Sequence, residues 1–208
     1  IMRQSIKKLV QYSKTPFVIS NVIDLKTGSE VNWPGSKPTL IKTVNGIKVG
    51  IIGTTTLETP EKTIVDNVRG LYFEDMVKTI LEKAKKLRSE GAQVVLLTTH
   101  AGLTCGQSYA EAKGLPLEKV NFDPLNFTNC NRSDELYQVL SKLPENTLDA
   151  VVSGHTHTKV ANFIHNIPVI QSYSMGRYLG RIELFFDLEE GKLLREKTLV
   201  HQPTKFCH

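Results

Sequence analysis

Three of the six histidines stand directly after stretches that have the composition of buried strands. Residues 94–98 and residues 149–152 are nearly all-apolar runs, His100 follows the first run, and His155 and His157 follow the second. In open α/β sheets, ligands bind beyond the carboxyl ends of the strands. Imidazole is a good ligand for zinc, manganese, iron and nickel. The pattern therefore predicts a transition-metal site formed by these three side chains.

The spacing of the second pair supports this hypothesis. On an extended backbone, alternate side chains share a face, so the rings of His155 and His157 are expected to point the same way. Gly154 is expected to leave room for the backbone to approach an ion closely. The alternative for each histidine is a structural or solvent-exposed residue that binds nothing. The three remaining histidines lack this context and are interpreted as surface residues: His165, His201 and His208.

Other catalytic chemistries find little support in the chain. No two carboxylates form a convincing acid–base pair, and the sequence has no G-x-S-x-G elbow, no phosphate-binding P-loop and no G-x-G-x-x-G fingerprint. We therefore expect no side-chain nucleophile and predict no catalytic residue in this chain. The residues that bind the substrate cannot be named from the sequence.

Composition excludes several classes of protein. The 208 residues are 40% hydrophobic and 23% charged, which is ordinary for a folded domain and unlike a disordered or collagen-like chain. No apolar run approaches the roughly 20 residues of a membrane span. The net charge of +5 is spread along the chain, so we expect no nucleic-acid polymer as a partner.

The order of predicted elements indicates an α/β fold. Asn45-Gly46 joins two β-rich runs in a predicted hairpin, and residues 71–90 have the apolar spacing of a long amphipathic helix. Ser133 or Asp134 is expected to cap a helix that runs to about Leu143. The last fifty residues read mainly as antiparallel strands. We expect layered mixed β-sheets flanked by helices in one domain.

Two of the three cysteines are candidates for a disulfide. Cys105 and Cys130 bracket a polar segment, and a bridge between them would close a long loop in an oxidising compartment. Free thiols are the alternative for this pair. Cys207 would be left over, and the absence of C-x-x-C spacing argues against a cysteine-based zinc site.

Several segments resemble a known superfamily. Residues 95–102 and 149–157 are similar to the last two motifs of the calcineurin-like metallophosphoesterases, and the match is best for their 5′-nucleotidase branch. Residues 17–22 and 48–56 resemble segments of the same branch. The resemblance covers most of the chain, from Phe17 to about Val200.

This resemblance implies a hydrolase with two divalent metal ions, which could be zinc, manganese, iron, nickel or cobalt. The residues matching His100 and His155 would bind one ion, and the residue matching His157 would bind the other. A hydroxide that bridges the two ions would attack the phosphorus of a nucleotide, or of another phosphoester, in line with the leaving group. The branch also implies an extracytoplasmic location, in the periplasm, secreted or at the cell surface.

The family's earlier motifs do not occur here. They are an Asp-x-His, a Gly-Asp, and a Gly-Asn-His followed by an acid, and they supply the remaining ligands and the general acid. We therefore interpret residues 1–208 as the later part of a catalytic domain, incomplete at its N-terminal side. The N-terminal metal motifs and the C-terminal nucleotide-binding domain would lie outside it.

On this interpretation, the missing N-terminal portion is a required partner, and residues 1–208 alone are expected to be inactive. Two alternatives remain open. The chain could be a non-catalytic metal-binding or interaction module of the same fold. It could also be a plain α/β scaffold whose histidines are incidental.

Overall fold

The fold is taken from a computed structural model, in which the structure describes residues 2–114, 116 and 129–206. The chain divides into two compact units, Ile1–Thr98 and Thr99–His208. Both units contain strands and helices, so the predicted α/β class with mixed sheets and flanking helices is confirmed. That the two units form one layered domain stays a prediction.

The first unit contains most of the helices. Its described elements are, in chain order, α1 (Met2–Tyr12), β1 (Phe17–Val18), β2 (Val22–Asp24), β3 (Ser29–Glu30), β4 (Ser36–Lys37), β5 (Thr39–Val44), β6 (Ile47–Thr55), α2 (Thr59–Lys62), α3 (Val65–Val68), β7 (Leu71–Phe73), α4 (Met76–Ser89) and β8 (Val94–His100). The last two residues of β8 already fall in the second unit.

The second unit is mainly strand. Its described elements are α5 (Gly106–Lys113), α6 (Glu135–Leu140), β9 (Ala150–Ser153), β10 (Lys159–Ile164), β11 (Ile167–Ser172), β12 (Tyr178–Glu183), β13 (Phe186–Asp187), β14 (Lys192–Leu193), a 3₁₀ helix (Arg195–Lys197) and β15 (Leu199–Lys205). Helix α6 is shorter than the sequence predicted, because it ends at Leu140 rather than near Leu143.

The β5–β6 hairpin of the first unit is the one predicted from the sequence. Thr39 pairs with Ile52 and Val44 with Ile47, so the two strands are in register from end to end. Asn45 and Gly46 have φ angles of 49° and 83°, as a two-residue turn of this kind requires. Strand β8 lies on the other side of β6.

Helix α4 covers this hairpin, and its start corrects the sequence prediction. The helix begins at Met76, where the carboxylate of Asp75 accepts a hydrogen bond from the Lys78 amide at 2.9 Å. The preceding residues 71–73, predicted as helix, instead form β7 and pair with β2. The buried face of α4 packs tightly, since a Cβ atom at Gly50 of β6 would lie 3.0 Å from the Leu87 side chain.

Strand pairing in the second unit decides which strand ends lie at the same edge of the sheet. Strand β11 runs parallel to β9, with Val151 opposite Val169 and Ser153 opposite Gln171, and antiparallel to β10. The carboxyl ends of β9 and β11 therefore lie at the same edge. The last fifty residues form mainly antiparallel strands, as predicted, but residues 178–187 and 192–205 are each divided into two separate strands.

Within the described part of the chain, no helix is long and apolar enough to cross a membrane.

A disulfide joins Cys105 to Cys130, the pair that the sequence singled out. Cys207 lies outside the described residues. Replacing both cysteines of the bridge by serine is expected to lower the free energy of unfolding by about 3 kcal/mol, because the bridge closes a loop of 25 residues. Urea unfolding of the variant and the wild type would measure this difference. Equal stabilities under oxidising conditions would contradict the prediction.

Candidate metal centre

The candidate metal ligands all lie in the second unit, at or beyond strand ends. His100 is the last residue of β8, whose side chains at Val95 and Leu97 are fully buried. His155 and His157 lie in the loop that follows β9. Buried strands thus provide rigid bases, and the imidazoles lie where the strands end.

The structure brings two of the three predicted ligands into direct contact. The Nε2 atom of His100 lies 3.2 Å from the Nδ1 atom of His155, and the two rings meet edge to face with centroids 4.9 Å apart. Two nitrogens bound to one tetrahedral zinc ion, each about 2.05 Å from the metal, lie about 3.3 Å apart. The distance between the two nitrogens therefore matches that between two ligands of a single ion.

His157 belongs to the same loop and has an exposed side chain. His157 acts electrostatically on His100. The pKa of His100 is lowered below its ordinary value, first by partial removal of the ring from water and then by the neighbouring charges of His155 and His157. Since only a neutral imidazole binds a metal, these effects favour the form that a metal requires.

The lowered pKa predicts a pH dependence of folding. Between the unperturbed pKa of 6.5 and the lowered value, the unfolded chain binds more protons at His100 than the folded protein does. Stability of the metal-free protein is therefore expected to fall as the pH drops below about 6.5 and through this window. Urea unfolding at about pH 7.5 and about pH 5.5 would show a smaller drop in His100→Asn than in the wild type. An identical drop in both proteins would count against it.

The loop that holds His155 and His157, here called the histidine loop, has a backbone that differs from the sequence prediction. An extended segment was expected, but His155 and His157 have φ angles of 81° and 52°, both in the left-handed region. The argument from strand alternation is therefore wrong for these two rings. Such a conformation is unfavourable by about 1–3 kcal/mol per residue and persists only where surrounding contacts impose it.

Close to the histidines, the structure requires glycine at Gly102. A Cβ atom there would lie 2.4 Å from the Gly154 carbonyl oxygen and 2.5 Å from the Thr156 hydroxyl, so the two loops that carry the histidines touch at this point. At Gly154, where the sequence suggested that space was needed, a Cβ atom would lie 3.8 Å from His100 Nδ1 and would make only ordinary contacts.

The described residues could supply only part of a metal centre. Over residues 2–114, 116 and 129–206, no group of three or more histidine, cysteine, aspartate or glutamate side chains could hold an ion. His100 and His155 provide two of the four ligands that a tetrahedral zinc ion takes. The donor set fits a borderline transition metal, since both ligands are imidazoles.

The other histidines have structural surroundings, where these are described. His165 occupies a turn with φ 48° and stacks edge to face on Tyr137 at 5.9 Å between ring centroids. His201 Nε2 lies 2.7 Å from a carboxylate oxygen of Glu183. His208 lies outside the described residues.

Sequence reasoning missed a buried polar residue behind the histidine loop. Gln171, near the carboxyl end of β11, has no exposed surface, and its amide contacts the hydroxyls of Thr156 and Thr158. The sequence marks its position by a glutamine near the end of an otherwise apolar strand, but the spacing does not show which residues this glutamine contacts.

Several known proteins are similar to this chain over most of its length. No protein-family model matches the chain. The chain is 26% identical over 167 residues to the cell wall protein Lmo0130 of Listeria monocytogenes, which covers 79% of this chain and 19% of the relative. It is 29% identical over 155 residues to a 5′-nucleotidase of Diplobatis ommata, covering 74% of this chain and 24% of the relative. The chain spans about a fifth to a quarter of the length of these relatives.

The fold is similar to that of a solved structure, the calcineurin-like phosphoesterase YfkN of Bacillus subtilis. The TM-score is 0.65 at 23% identity, and the match covers 92% of this chain and 56% of that chain. Together, the relatives and the shared fold confirm the resemblance found in the sequence: most of this chain is similar to part of a 5′-nucleotidase, and its fold is similar to that of a calcineurin-like phosphoesterase.

Proposed function

We propose that the protein carrying this chain is a metal-dependent phosphoester hydrolase that acts on nucleotides, and that this chain supplies part of its metal centre. The observation that carries the proposal is the approach of His100 Nε2 to within 3.2 Å of His155 Nδ1. This distance matches two ligands of one ion. The 5′-nucleotidase among the relatives supports nucleotides as the substrate class.

The three imidazoles would divide between two divalent ions. His100 and His155 would hold one ion, and His157, which is exposed in the same loop, would contribute to the second. When bound, the ions would neutralise charge on the phosphoryl oxygens and lower the pKa of a coordinated water near phosphorus. The imidazole donors favour a transition metal such as zinc.

This chain would position the imidazoles of His100 and His155 and keep His100 in its neutral form. The surroundings of His100 lower its pKa, so the ring is neutral at pH values where a free histidine would already be partly charged. The two loops touch at Gly102, and this contact would help to keep His100 and His155 at their observed separation. Preorganised ligands of this kind stabilise charge without reorganising during the reaction. Residues 1–208 by themselves are proposed to be inactive, with the other ligands supplied by an N-terminal portion.

An extracytoplasmic location is part of the proposal. The disulfide between Cys105 and Cys130 is the kind of bridge that persists in oxidising compartments. A cell wall protein is among the relatives, which supports the same location. Fractionation of the native organism's cells would place the protein outside the cytoplasm if this is right, and recovery in the cytosol would contradict it.

The test is hydrolysis by the full-length protein. Phosphate release from nucleoside monophosphates, cyclic nucleotides and nucleotide sugars would be measured with zinc or manganese added. We expect turnover of at least one of these classes, its loss after removal of metal by a chelator, and its return when metal is restored. A fully loaded protein that hydrolyses none of them would refute the proposal.

A second candidate is a metal-binding module without catalysis. It is favoured by the fact that the described pair, His100 and His155, already fits one ion. Titration calorimetry would distinguish the two functions. One equivalent of zinc bound by the full-length protein, lost in His155→Ala, and no turnover of any nucleotide would support the module.

A further inference from the structure

We propose that Gln171 is a positioning residue of the metal centre, which ties the loop of His155 and His157 to the loop that follows His100. The inference rests on the proposed function for its metal but concerns this chain's own hydrogen bonds. Gln171 has no exposed surface. A buried side-chain amide is tolerated only where its donors and its acceptor are matched.

The donors of the amide are matched by the histidine loop. Gln171 Nε2 lies 2.8 Å from Thr156 Oγ1 and 2.7 Å from Thr158 Oγ1, and it has two N–H groups to donate. Each threonine follows a histidine directly in the sequence. The two hydrogen bonds therefore hold the loop immediately after each predicted metal ligand.

The two threonine hydroxyls and the side-chain carbonyl of Gln171 connect this loop to the loop that follows His100. The hydroxyls of Thr156 and Thr158 donate to the Leu103 carbonyl oxygen, at 2.7 Å and 2.5 Å. The carbonyl of Gln171 accepts from the Leu103 amide at 3.4 Å and from the Ser153 hydroxyl at 3.2 Å. These bonds form a closed ring through Leu103, which lies three residues after His100.

The direction of the amide is fixed by this ring. If the oxygen and nitrogen of Gln171 exchanged places, the amide nitrogen would face the Leu103 N–H, donor against donor. The threonine hydroxyls would then have to donate to Gln171 and leave the Leu103 carbonyl without them. The observed orientation also places Gln171 Nε2 3.0 Å from the Thr158 carbonyl oxygen, a further acceptor, so the ring favours one relative position of the two loops.

The Leu103 end of the connection is itself anchored. Leu103 is fully buried, the Thr104 amide donates to an Asp134 carboxylate oxygen at 2.6 Å, and Cys105 is held in the disulfide. The ring of hydrogen bonds therefore restrains mainly the loop of His155 and His157. It is the surrounding contact that the left-handed backbone of His155 and His157 requires.

Removing the threonine hydroxyl is the sharpest test. In the full-length protein, Thr156→Val is expected to weaken zinc binding about 10- to 100-fold, as loss of a residue that orients a ligand does. Thr156→Ser keeps the hydroxyl and is expected to bind zinc like the wild type. Gln171→Met should behave like Thr156→Val, because it removes both amide donors. Zinc affinity would be measured by competition with a chromophoric chelator.

A matched control separates positioning from general stability. Thr79 of α4 is fully buried, and its hydroxyl donates to Glu74 at 3.1 Å. Thr79→Val therefore removes a buried hydroxyl of the first unit, which within the described residues has no hydrogen bond to the loops of the histidines, and is expected to change zinc affinity less than about twofold. If Thr156→Val lowered only the free energy of unfolding and left zinc affinity at the wild-type value, the proposal would be overturned.

A second measurement needs no metal and no turnover. Nitrogen chemical shifts of the imidazoles, recorded by NMR on the metal-free protein, report the contact between His100 and His155. We expect Gln171→Met to change these shifts while Thr79→Val leaves them in place, and unchanged shifts would overturn the proposal. A wild type that binds no zinc would contradict the metal site of the proposed function, and the shifts alone would then decide the role of Gln171.

Discussion

Replacing His155 by alanine is expected to lower kcat/KM for nucleotide hydrolysis by the full-length protein at least about a hundredfold. The reason is geometric. The Nδ1 atom of His155 lies 3.2 Å from His100 Nε2, so the variant would leave one imidazole where two now lie at the spacing of two ligands of one ion. Loss of a group that only orients a ligand already has effects of 10- to 100-fold, and loss of the ligand itself should exceed them.

The chain offers a matched control for this substitution. His165 is also a histidine with a left-handed backbone, at φ 48° compared with 81° for His155, but it lies in a turn and stacks on Tyr137. His165→Ala therefore reproduces the backbone effect without touching the candidate centre, and its kcat/KM should remain near the wild-type value. Measurements at saturating zinc would show whether added metal restores His155→Ala. Equal activity of the two variants would show that His155 is not a ligand.

Substituting Gly102 by alanine is expected to destabilise the second unit by about 1–3 kcal/mol and to weaken metal binding at the same time. The new methyl group would lie 2.4 Å from the Gly154 carbonyl oxygen, a backbone atom that cannot move without the whole loop. The two loops must separate, and the distance between His100 and His155 grows with them.

Gly154→Ala is the comparison for this effect. Its methyl group would lie 3.8 Å from His100 Nδ1 and would overlap nothing, so a much smaller loss of stability is expected. Urea unfolding and zinc titration of both variants would measure the two effects. A Gly102→Ala protein as stable as Gly154→Ala, with zinc affinity unchanged, would show that the loops are not in close contact in solution.

Local chemistry explains what the sequence predicted well. The Asn45-Gly46 turn depends on two residues that tolerate positive φ, and the hairpin around it followed from its own residues. The histidines were found because a buried strand has a recognisable composition and ligands gather beyond strand ends. Both inferences need only neighbours in the sequence.

Long-range contacts explain what the sequence could not show. The loop with the left-handed backbone at His155 and His157 receives hydrogen bonds from Gln171, which follows it by more than a dozen residues. Residues 71–73 fit a helical pattern as well as a strand, and their pairing with β2 decided between the two. Neither contact leaves a trace in local spacing.

The backbone at positions 155 and 157 has a consequence for the evolution of related chains. Glycine and asparagine adopt positive φ more readily than histidine does, so at these positions the residue best for folding is not the residue best for binding. A lineage that no longer depended on the imidazoles would gain stability by drifting to glycine or asparagine. Retention of histidine at both positions across descendants would therefore indicate selection for the imidazole side chains in spite of their cost to stability.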